Sequence, residues 1–170
     1  FVKENGAVVL DEGQIEAISN WALKPLESQT GDSNDNPYQI QYSLQEMMQE
    51  LVGIARSEEG LNDALSNIAN LRHRSENVIA IGNREYNAGW HTALDLRNLI
   101  PVAEAVTRAA IERKESRGAH FREDHLGKDE EWGKTTLVIR RASDGTMEVL
   151  REPIAPPRDD LQQIIEENQK

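Results

Sequence analysis

The chain has 170 residues, a formal net charge of −11, no cysteine, and 38% apolar but only 5% aromatic residues. This length fits one domain with a core of its own, and the composition predicts an aliphatic, helical core. The acidic balance argues against nucleic acid as a partner, and no Lys/Arg run would hold an anionic membrane. Without cysteine, disulfides and cysteine metal sites are excluded, which fits a reducing compartment. No apolar run approaches the roughly 20 residues that span a bilayer, so direct membrane insertion is not expected.

Residues 1–35 are predicted to form an N-terminal helix and a linker. Gly6–Leu10 is either one short strand or part of a linker. Asp11 is the predicted N-cap of a helix over 12–27, which Pro25 should end or bend. The apolar side of this helix carries Ile15, Ile18, Trp21 and Ala22. The small polar residues of 28–36 predict a loop.

Residues 36–133 are predicted to hold three long helices and the polar segment that follows them. Asn36 and Pro37 open the first helix, which carries Ile40, Leu44, Met47, Leu51 and Ile54. The second restarts at Ser57, runs to about Ala80 and carries Leu61, Leu65, Ile68 and Leu71. The third, from near Asn87 to about Glu115, is kinked at Pro101 and carries Leu96, Leu99, Ala103, Val106 and Ala110.

These apolar residues recur at spacings of three and four, which places them on one face of each helix. Short connections between long helices predict an antiparallel three-helix bundle, similar to a spectrin repeat, in which each apolar stripe is buried against the other two helices. Replacing Leu99 by alanine is therefore expected to cost on the order of 2–5 kcal/mol.

Residues 134–170 are predicted to form a β-hairpin and a C-terminal tail. Alternation begins at Thr135, and Ser143–Thr146 has the composition of a turn before Met147, Val149 and Leu150. Three prolines then make a stiff linker. A short terminal helix over 159–168 is expected to turn Leu161, Ile164 and Ile165 inward. The predicted fold class is mainly α, with this hairpin and short helix at the C-terminus.

The densest group of chemically active residues is Glu115–His125, where the helical pattern stops. Gly118 is the predicted helix terminator. His120 and His125, with Glu123 and Asp124, offer imidazole and carboxylate ligands to zinc or iron, although the spacing matches no known ligand pattern. Glu123 and Asp124 also suggest a general acid/base pair.

The reading that we favour is a paired polar cluster of Arg117, His120, Arg122 and Asp124 that joins the end of the bundle to the hairpin or to another domain. His73 is interpreted as a solvated helix residue and His91 as an interface or core residue. No catalytic, metal-binding or cofactor-binding residue is assigned, because neither a phosphate loop, a dinucleotide fingerprint nor an activated nucleophile is present.

Two runs of sequence carry a family resemblance. Residues 112–124 read ERKESRGAHFRED and are followed by Asp129, Glu130, Glu131 and Trp132, while 86–110 read YNAGWHTALDLRNLIPVAEAVTRAA. Together they resemble the C-terminal domain of succinate dehydrogenase and fumarate reductase flavoprotein subunits, shared with L-aspartate oxidases, and are most similar to the menaquinone-linked bacterial type. The similarity extends over about 36–140 and departs at Leu126, where proline is usual.

The resemblance implies a non-catalytic domain of an FAD-containing parent that interconverts succinate and fumarate and passes electrons to a quinone. The chain itself would hold no cofactor. Its implied partners are upstream FAD and capping domains and an iron–sulfur subunit. The implied location is cytoplasmic, with the complex attached peripherally to the inner face of a bacterial cell membrane. Trp132 and the Arg122-Glu123-Asp124 run would face the flavin domain. The isolated domain is expected to be inactive and to be able to dimerise.

Phe1, which is neither an initiator methionine nor part of a signal-peptide pattern, is interpreted as a cut inside a longer protein. Three alternatives stay open: the C-terminal domain of an L-aspartate oxidase, a stand-alone acidic helical module that binds other proteins, and a small metal-dependent hydrolase.

Overall fold

The computed structural model describes residues 10–27 and 36–167, so the expectations for Gly6–Val9 and for the loop over 28–35 lie outside the described residues. The described chain divides into two compact units. The first comprises the described residues up to Gln49 together with Ser66–Ala103, and the second comprises Glu50–Leu65 together with the described residues from Glu104 onwards.

The predicted fold class is confirmed: the chain is mainly α, with a C-terminal hairpin and a short terminal helix. The helices are α1 (Glu12–Glu27), α2 (Pro37–Leu51), α3 (Glu58–Ser75), α4 (Ala88–Glu112) and α5 (Asp159–Glu167). The strands are β1 (Ala55–Arg56), β2 (Phe121–Arg122), β3 (Thr135–Arg141) and β4 (Met147–Pro153). β1 pairs with β2 in parallel and β3 pairs with β4 in antiparallel.

Short polar side chains begin the helices as predicted. The Asp11 carboxylate accepts a hydrogen bond from the backbone N–H of Gln14 at 3.1 Å, and the Asn36 side chain accepts one from Gln39 at 2.9 Å. Gln39 returns the contact to the backbone N–H of Asn36, which completes a capping box. The side chain of Asn87, which is buried, accepts a bond from Trp90 N–H at 2.9 Å and starts α4.

The first unit has an aliphatic core. α2, α3 and α4 each bury one face within it, as expected for bundle helices. Its buried apolar residues are Ile40, Leu44, Met47, Ile68, Leu71, Val78, Ala80, Ala93, Leu96, Ile100 and Ala103. α1 extends past Pro25 to Glu27, and the Pro25 carbonyl accepts the backbone N–H of Ala80 at 2.8 Å. Ile15 and Ile18, on the apolar side of α1, are about half exposed.

The predicted apolar stripe of α4 is partly wrong. Leu96, Ala103 and Ala110 are buried as predicted, but Leu99 is 37% exposed and Val106 is 43% exposed. Ile100 and Thr107 are buried in their place. At these two positions the buried residue is therefore the one that follows the predicted residue in the sequence. The large cost predicted for Leu99→Ala does not apply, because the Leu99 side chain is partly exposed.

Other boundaries also differ from the predictions. α3 ends at Ser75 rather than near Ala80, and α4 continues through Pro101 but ends at Glu112 rather than Glu115. Ile54, predicted to continue the stripe of α2, is 70% exposed. α5 forms as predicted, yet Leu161 and Ile164 are about half exposed rather than turned inward. The side chain of Ile165 lies outside the described residues.

The second unit has a smaller and more polar core. Its buried apolar residues are Val52, Leu61, Ala64, Ala110 and Trp132. Glu104, Thr107, Glu115 and Arg122 are buried beside them. In the hairpin, Val138 faces Leu150 and Ile139 faces Val149 across the strands. Among the residues that the structure describes, no helix is long and apolar enough to cross a membrane.

Candidate functional site

The polar segment after α4 begins with a tight turn. The backbone groups of Arg117 and His120 exchange hydrogen bonds of 2.8 and 3.1 Å, and Gly118 between them has a φ of 60°. Glycine suits this position because a side chain disfavours positive φ, and a glycine at the first central position is typical of a hairpin turn. Gly118 therefore reverses the chain within the segment. The prediction that it terminates α4 is wrong, because the helix already ends at Glu112.

Arg122, just after this turn, is completely buried and donates hydrogen bonds to backbone carbonyl groups at the C-terminal end of α4. Its Nη1 donates to the carbonyl oxygens of Ala110 and Ile111, at 2.8 and 3.2 Å, which lie in the last turn of the helix. Its Nε and Nη2 donate to the two oxygens of Asp124, both at 2.7 Å. A guanidinium at a helix C-terminus stabilises carbonyls that have no partner within the helix, and the bidentate carboxylate balances its charge.

Glu115 is the centre of a second buried group. One carboxylate oxygen accepts from Arg113 at 2.6 Å and from Arg117 at 2.9 Å, and the other accepts the backbone N–H of Asp129 at 3.0 Å. The Glu115 side chain has no exposed surface. These donors hold the pKa of Glu115 at about 2, with the Arg117 hydrogen bond as the largest cause, so the carboxylate stays ionised although burial opposes this.

Arg113 connects this group to the hairpin. Its guanidinium donates to the carbonyls of Trp132 and Thr135, at 3.2 and 2.9 Å. It also lies 5.1 Å from the centroid of the Trp132 ring, while Arg151 of β4 lies 4.4 Å from the same centroid. The buried indole is thus enclosed by two cations, which attract its electron-rich face. Arg151 also pairs with Glu112 at 2.7 Å.

Ser116 and β1 fix the remaining backbone of the segment. The Ser116 hydroxyl accepts from Arg122 N–H at 2.8 Å and lies 2.8 Å from the carbonyl of His125, to which it can donate. The N–H of Phe121 donates to Ile54 O and the N–H of Glu123 donates to Arg56 O, which pairs this strand with β1. Asp124 in turn accepts the N–H of Glu58, at the start of α3.

Five residues of this network were singled out from the sequence: Arg117, His120, Arg122 and Asp124 as a polar cluster, and Trp132 as an expected contact with a neighbouring domain. The structure brings all five into the second unit, around Glu115 and Arg122. Arg56, Arg113 and Asp129, which lie outside the conspicuous run 115–125, were missed, and so was Glu115, which lies within it. For Arg113, the signal was available in its place one residue after the final turn of a helix, where cations are favourable.

The buried polar groups of this network already have hydrogen-bond partners within the chain. The pKa of Asp124 lies well below its usual range, chiefly because Arg122 donates to it, and Glu115 is equally committed. Both carboxylates are thus poor general bases. Among the described residues, no buried side-chain nitrogen or oxygen lacks a hydrogen-bond partner. The predicted acid/base pair is not supported by this geometry, since Asp124 is bound to Arg122 and Glu123 is exposed.

The four residues that were considered from the sequence as possible metal ligands, but not assigned as a site, do not form a ligand group: His120, His125, Glu123 and Asp124. Within the described ranges, the group with suitable spacing is instead Glu58, Asp124 and His125, whose ligand atoms lie within 4.8 Å of one another. Arg122 lies 2.7 Å from the Asp124 carboxylate and 3.7 Å from that of Glu58, so it already supplies the cation there. His73 is exposed as predicted, and His91 is exposed rather than part of a core.

The fold and the network define a mainly helical domain with buried arginine–carboxylate contacts. A family model described as the fumarate reductase flavoprotein C-terminal region matches residues 41–163. The chain belongs to this family. This agrees with the resemblance carried by the ERKESRGAHFRED run.

The names of similar proteins agree with this family. An FAD-dependent oxidoreductase of Methanocaldococcus jannaschii is 37% identical over 68% of this chain and 20% of its own length. The fumarate reductase flavoprotein subunit of Mycobacterium tuberculosis (strain H37Rv) is 30% identical over 77% of the chain and 23% of its own length. The chain thus spans about a fifth of the length of the curated relatives that it matches. The first of these relatives is named as FAD-dependent, and the second is named as a flavoprotein subunit.

Solved structures show the same fold. Mycobacterium smegmatis Sdh1 in complex with UQ1 superposes with a TM-score of 0.83 and 36% identity, covering 92% of this chain and 26% of that chain. An adenylylsulfate reductase of Archaeoglobus fulgidus superposes with a TM-score of 0.77 at 20% identity, covering 91% of this chain and 26% of that chain, and shares the fold alone.

Proposed function

We propose that this chain is the non-catalytic C-terminal domain of an FAD-dependent flavoprotein subunit that interconverts succinate and fumarate. In this proposal the parent passes electrons from flavin through an iron–sulfur subunit to a quinone. The names of the relatives support the parent reaction, because they include fumarate reductase and succinate dehydrogenase flavoprotein subunits. The domain's own contribution is to pack on the FAD and capping domains and to support assembly.

The observation that carries the non-catalytic role is the complete burial of Glu115 and Arg122. A residue that touches substrate or flavin needs an accessible face or a free donor or acceptor. Glu115 accepts three hydrogen bonds and Arg122 donates four, all within the second unit. These hydrogen bonds hold the backbone between α4 and the hairpin in place, which makes that region rigid.

The same segment also presents an exposed apolar surface that suits a protein neighbour. Phe121, next to the buried Arg122, is 41% exposed, and Leu126, four residues beyond Arg122, is 70% exposed. Glu123 between them is exposed as well. In our proposal the network holds these side chains in place for the upstream domains of the parent. Arg122 and Trp132 are themselves buried inside this chain, so they would act through their neighbours and not by direct contact.

Membrane attachment would then be indirect. We place the parent subunit on the cytoplasmic side of a bacterial membrane, held there by partner subunits. Two of the similar solved structures are Mycobacterium smegmatis Sdh1 in complex with UQ1 and a quinol–fumarate reductase with menaquinol molecules, which supports this location.

The test uses the full-length flavoprotein subunit co-expressed with its iron–sulfur partner. Phe121→Ser/Leu126→Ser alters the surface, and Arg122→Met removes the buried charge. Arg158→Ala is the control, because the Arg158 side chain is exposed and pairs with Asp160. The readouts are flavin content per protein, co-purification of the iron–sulfur subunit, and succinate oxidation. A parallel assay with L-aspartate distinguishes the oxidase alternative.

We expect the surface variant to lose the partner or its flavin while the domain stays folded, and Arg122→Met to lose both flavin and stability. Arg158→Ala should behave as the wild type. Normal assembly, flavin content and turnover in both test variants would contradict the assembly role, and turnover of L-aspartate in place of succinate would contradict the proposed parent reaction.

A further inference from the structure

His120 is held by two hydrogen bonds that require it to be neutral. Its Nδ1 lies 2.7 Å from Nη1 of Arg56, and its Nε2 lies 3.0 Å from the carbonyl oxygen of Arg113. An arginine can only donate and a carbonyl can only accept. Nδ1 therefore carries a lone pair and Nε2 carries the proton, which fixes one tautomer of the uncharged imidazole.

Protonation of this ring would break the arrangement. A charged imidazole has an N–H at both nitrogens, so Nδ1 would present a donor to the donor of Arg56. The charged groups that act on the ring are cationic and come from three parts of the second unit: Arg56 of β1, Arg113 just after α4, and Arg122 of β2. The carboxylates of Glu115 and Asp124 are engaged by arginines and do not offset this repulsion. Burial and these arginines lower the pKa of His120.

We infer that His120 makes an acid-sensitive contact: protonation of its ring releases the pairing of β1 with β2 and loosens the segment 115–125. The pairing consists of few contacts, chiefly Phe121 N–H to Ile54 O at 3.2 Å and Glu123 N–H to Arg56 O at 2.8 Å. Arg56 also donates through Nε to the carbonyls of Val52 and Gly53, at 3.2 and 2.6 Å. Displacing its guanidinium would thus disturb the loop that leads from α2 into β1. This inference is independent of the parent reaction.

The sign of the pH effect follows from linkage. With a folded-state pKa below the ordinary value of about 6.5, the opened segment binds the proton more tightly than the closed one. The closed state is fully favoured above pH 6.5 and loses that advantage as the pH falls through the interval down to the folded-state pKa. The protection of the Phe121 and Glu123 amides against hydrogen exchange should then decrease by up to about tenfold for each pH unit within this interval.

The primary experiment needs no substitution. In the wild-type chain, ¹⁵N chemical shifts should identify the His120 tautomer with hydrogen on Nε2, and the ring should titrate below pH 6.5. Exchange protection corrected for intrinsic rates should fall for the Phe121 and Glu123 amides. The Nδ1–H tautomer, titration at or above 6.5, or protection that is constant with pH would each overturn the inference.

A variant with a matched control adds a second measurement. His120→Asn keeps an oxygen acceptor near the place of Nδ1 but cannot titrate, whereas His73→Asn removes a histidine whose side chain is 82% exposed. We expect the pH dependence at Phe121 and Glu123 to vanish in His120→Asn and to persist in His73→Asn. An unchanged pH dependence in His120→Asn would show that another group is responsible.

Discussion

Replacing Glu115 by glutamine tests the buried network most directly, because the change keeps the shape of the side chain and removes its charge. The amide would offer one oxygen to Arg113 and Arg117, and its NH₂ group would face the backbone N–H of Asp129, which is also a donor. The fall of the Glu115 pKa from its ordinary 4.5 to about 2 corresponds to roughly 3–4 kcal/mol, at roughly 1.4 kcal/mol for each tenfold change in proton affinity. We expect Glu115→Gln to lose a similar amount of stability at pH 7.

The assay is urea unfolding of the wild-type chain, Glu115→Gln and the control Glu131→Gln, whose side chain is 84% exposed and paired with Lys134. The sign of the pH effect is fixed by the depressed pKa. The contribution of Glu115 is fully present above about pH 4.5 and is lost as the pH falls towards 2. The gap between wild type and Glu115→Gln should therefore narrow from pH 5 to pH 3. A loss no larger than that of Glu131→Gln, or a gap that stays constant over this pH range, would refute the reasoning.

Two further pairs of substitutions test the helix register and the turn by chemical denaturation. Leu96→Ala should cost about 2–5 kcal/mol because Leu96 is 1% exposed, whereas Leu99→Ala should cost less than about 1.5 kcal/mol because Leu99 is 37% exposed; equal costs would contradict the observed register. Gly118→Ala should cost about 1–2 kcal/mol through its φ of +60°, since nothing lies within 4 Å of an added Cβ. Gly127→Ala, which has the same open space without a positive φ, should be nearly neutral, and a similar loss in both variants would show that backbone strain is not the cause.

The buried face of α4 shows how an apolar pattern can be correct and still leave the register open. Leu96, Ala103 and Ala110 belong to two different stripes with spacings of three and four. One stripe adds Leu99 and Val106, and the other adds Ile100 and Thr107. Hydrophobicity favours the first, because it contains no hydroxyl group. The structure buries the second, with Thr107 at 0% exposure.

The polar cluster shows the reverse case. Some of its members, such as Arg117 and Arg122, could be singled out because charged residues, histidines and glycine are concentrated after a helix, but Arg56 and Glu115 were not singled out, and the pairing of the side chains could not be deduced from their order. Arg117 pairs with Glu115 and Arg122 pairs with Asp124, each two residues away, while His120 pairs with Arg56, which is 64 residues away. Sequence spacing carries no information about the last contact.

The sequence by itself determined the helical class, the N-caps, the hairpin and the location of the polar segment, because each depends on residues close together in the chain. Capping needs one side chain within three residues of a helix start, and a hairpin needs a turn between two alternating runs. Only the tertiary structure decided which side of α4 is buried, that Arg122 satisfies the end of that helix, and that His120 is neutral. These depend on groups brought together from β1, α4 and β2, where loss of water makes each donor and acceptor require a specific partner.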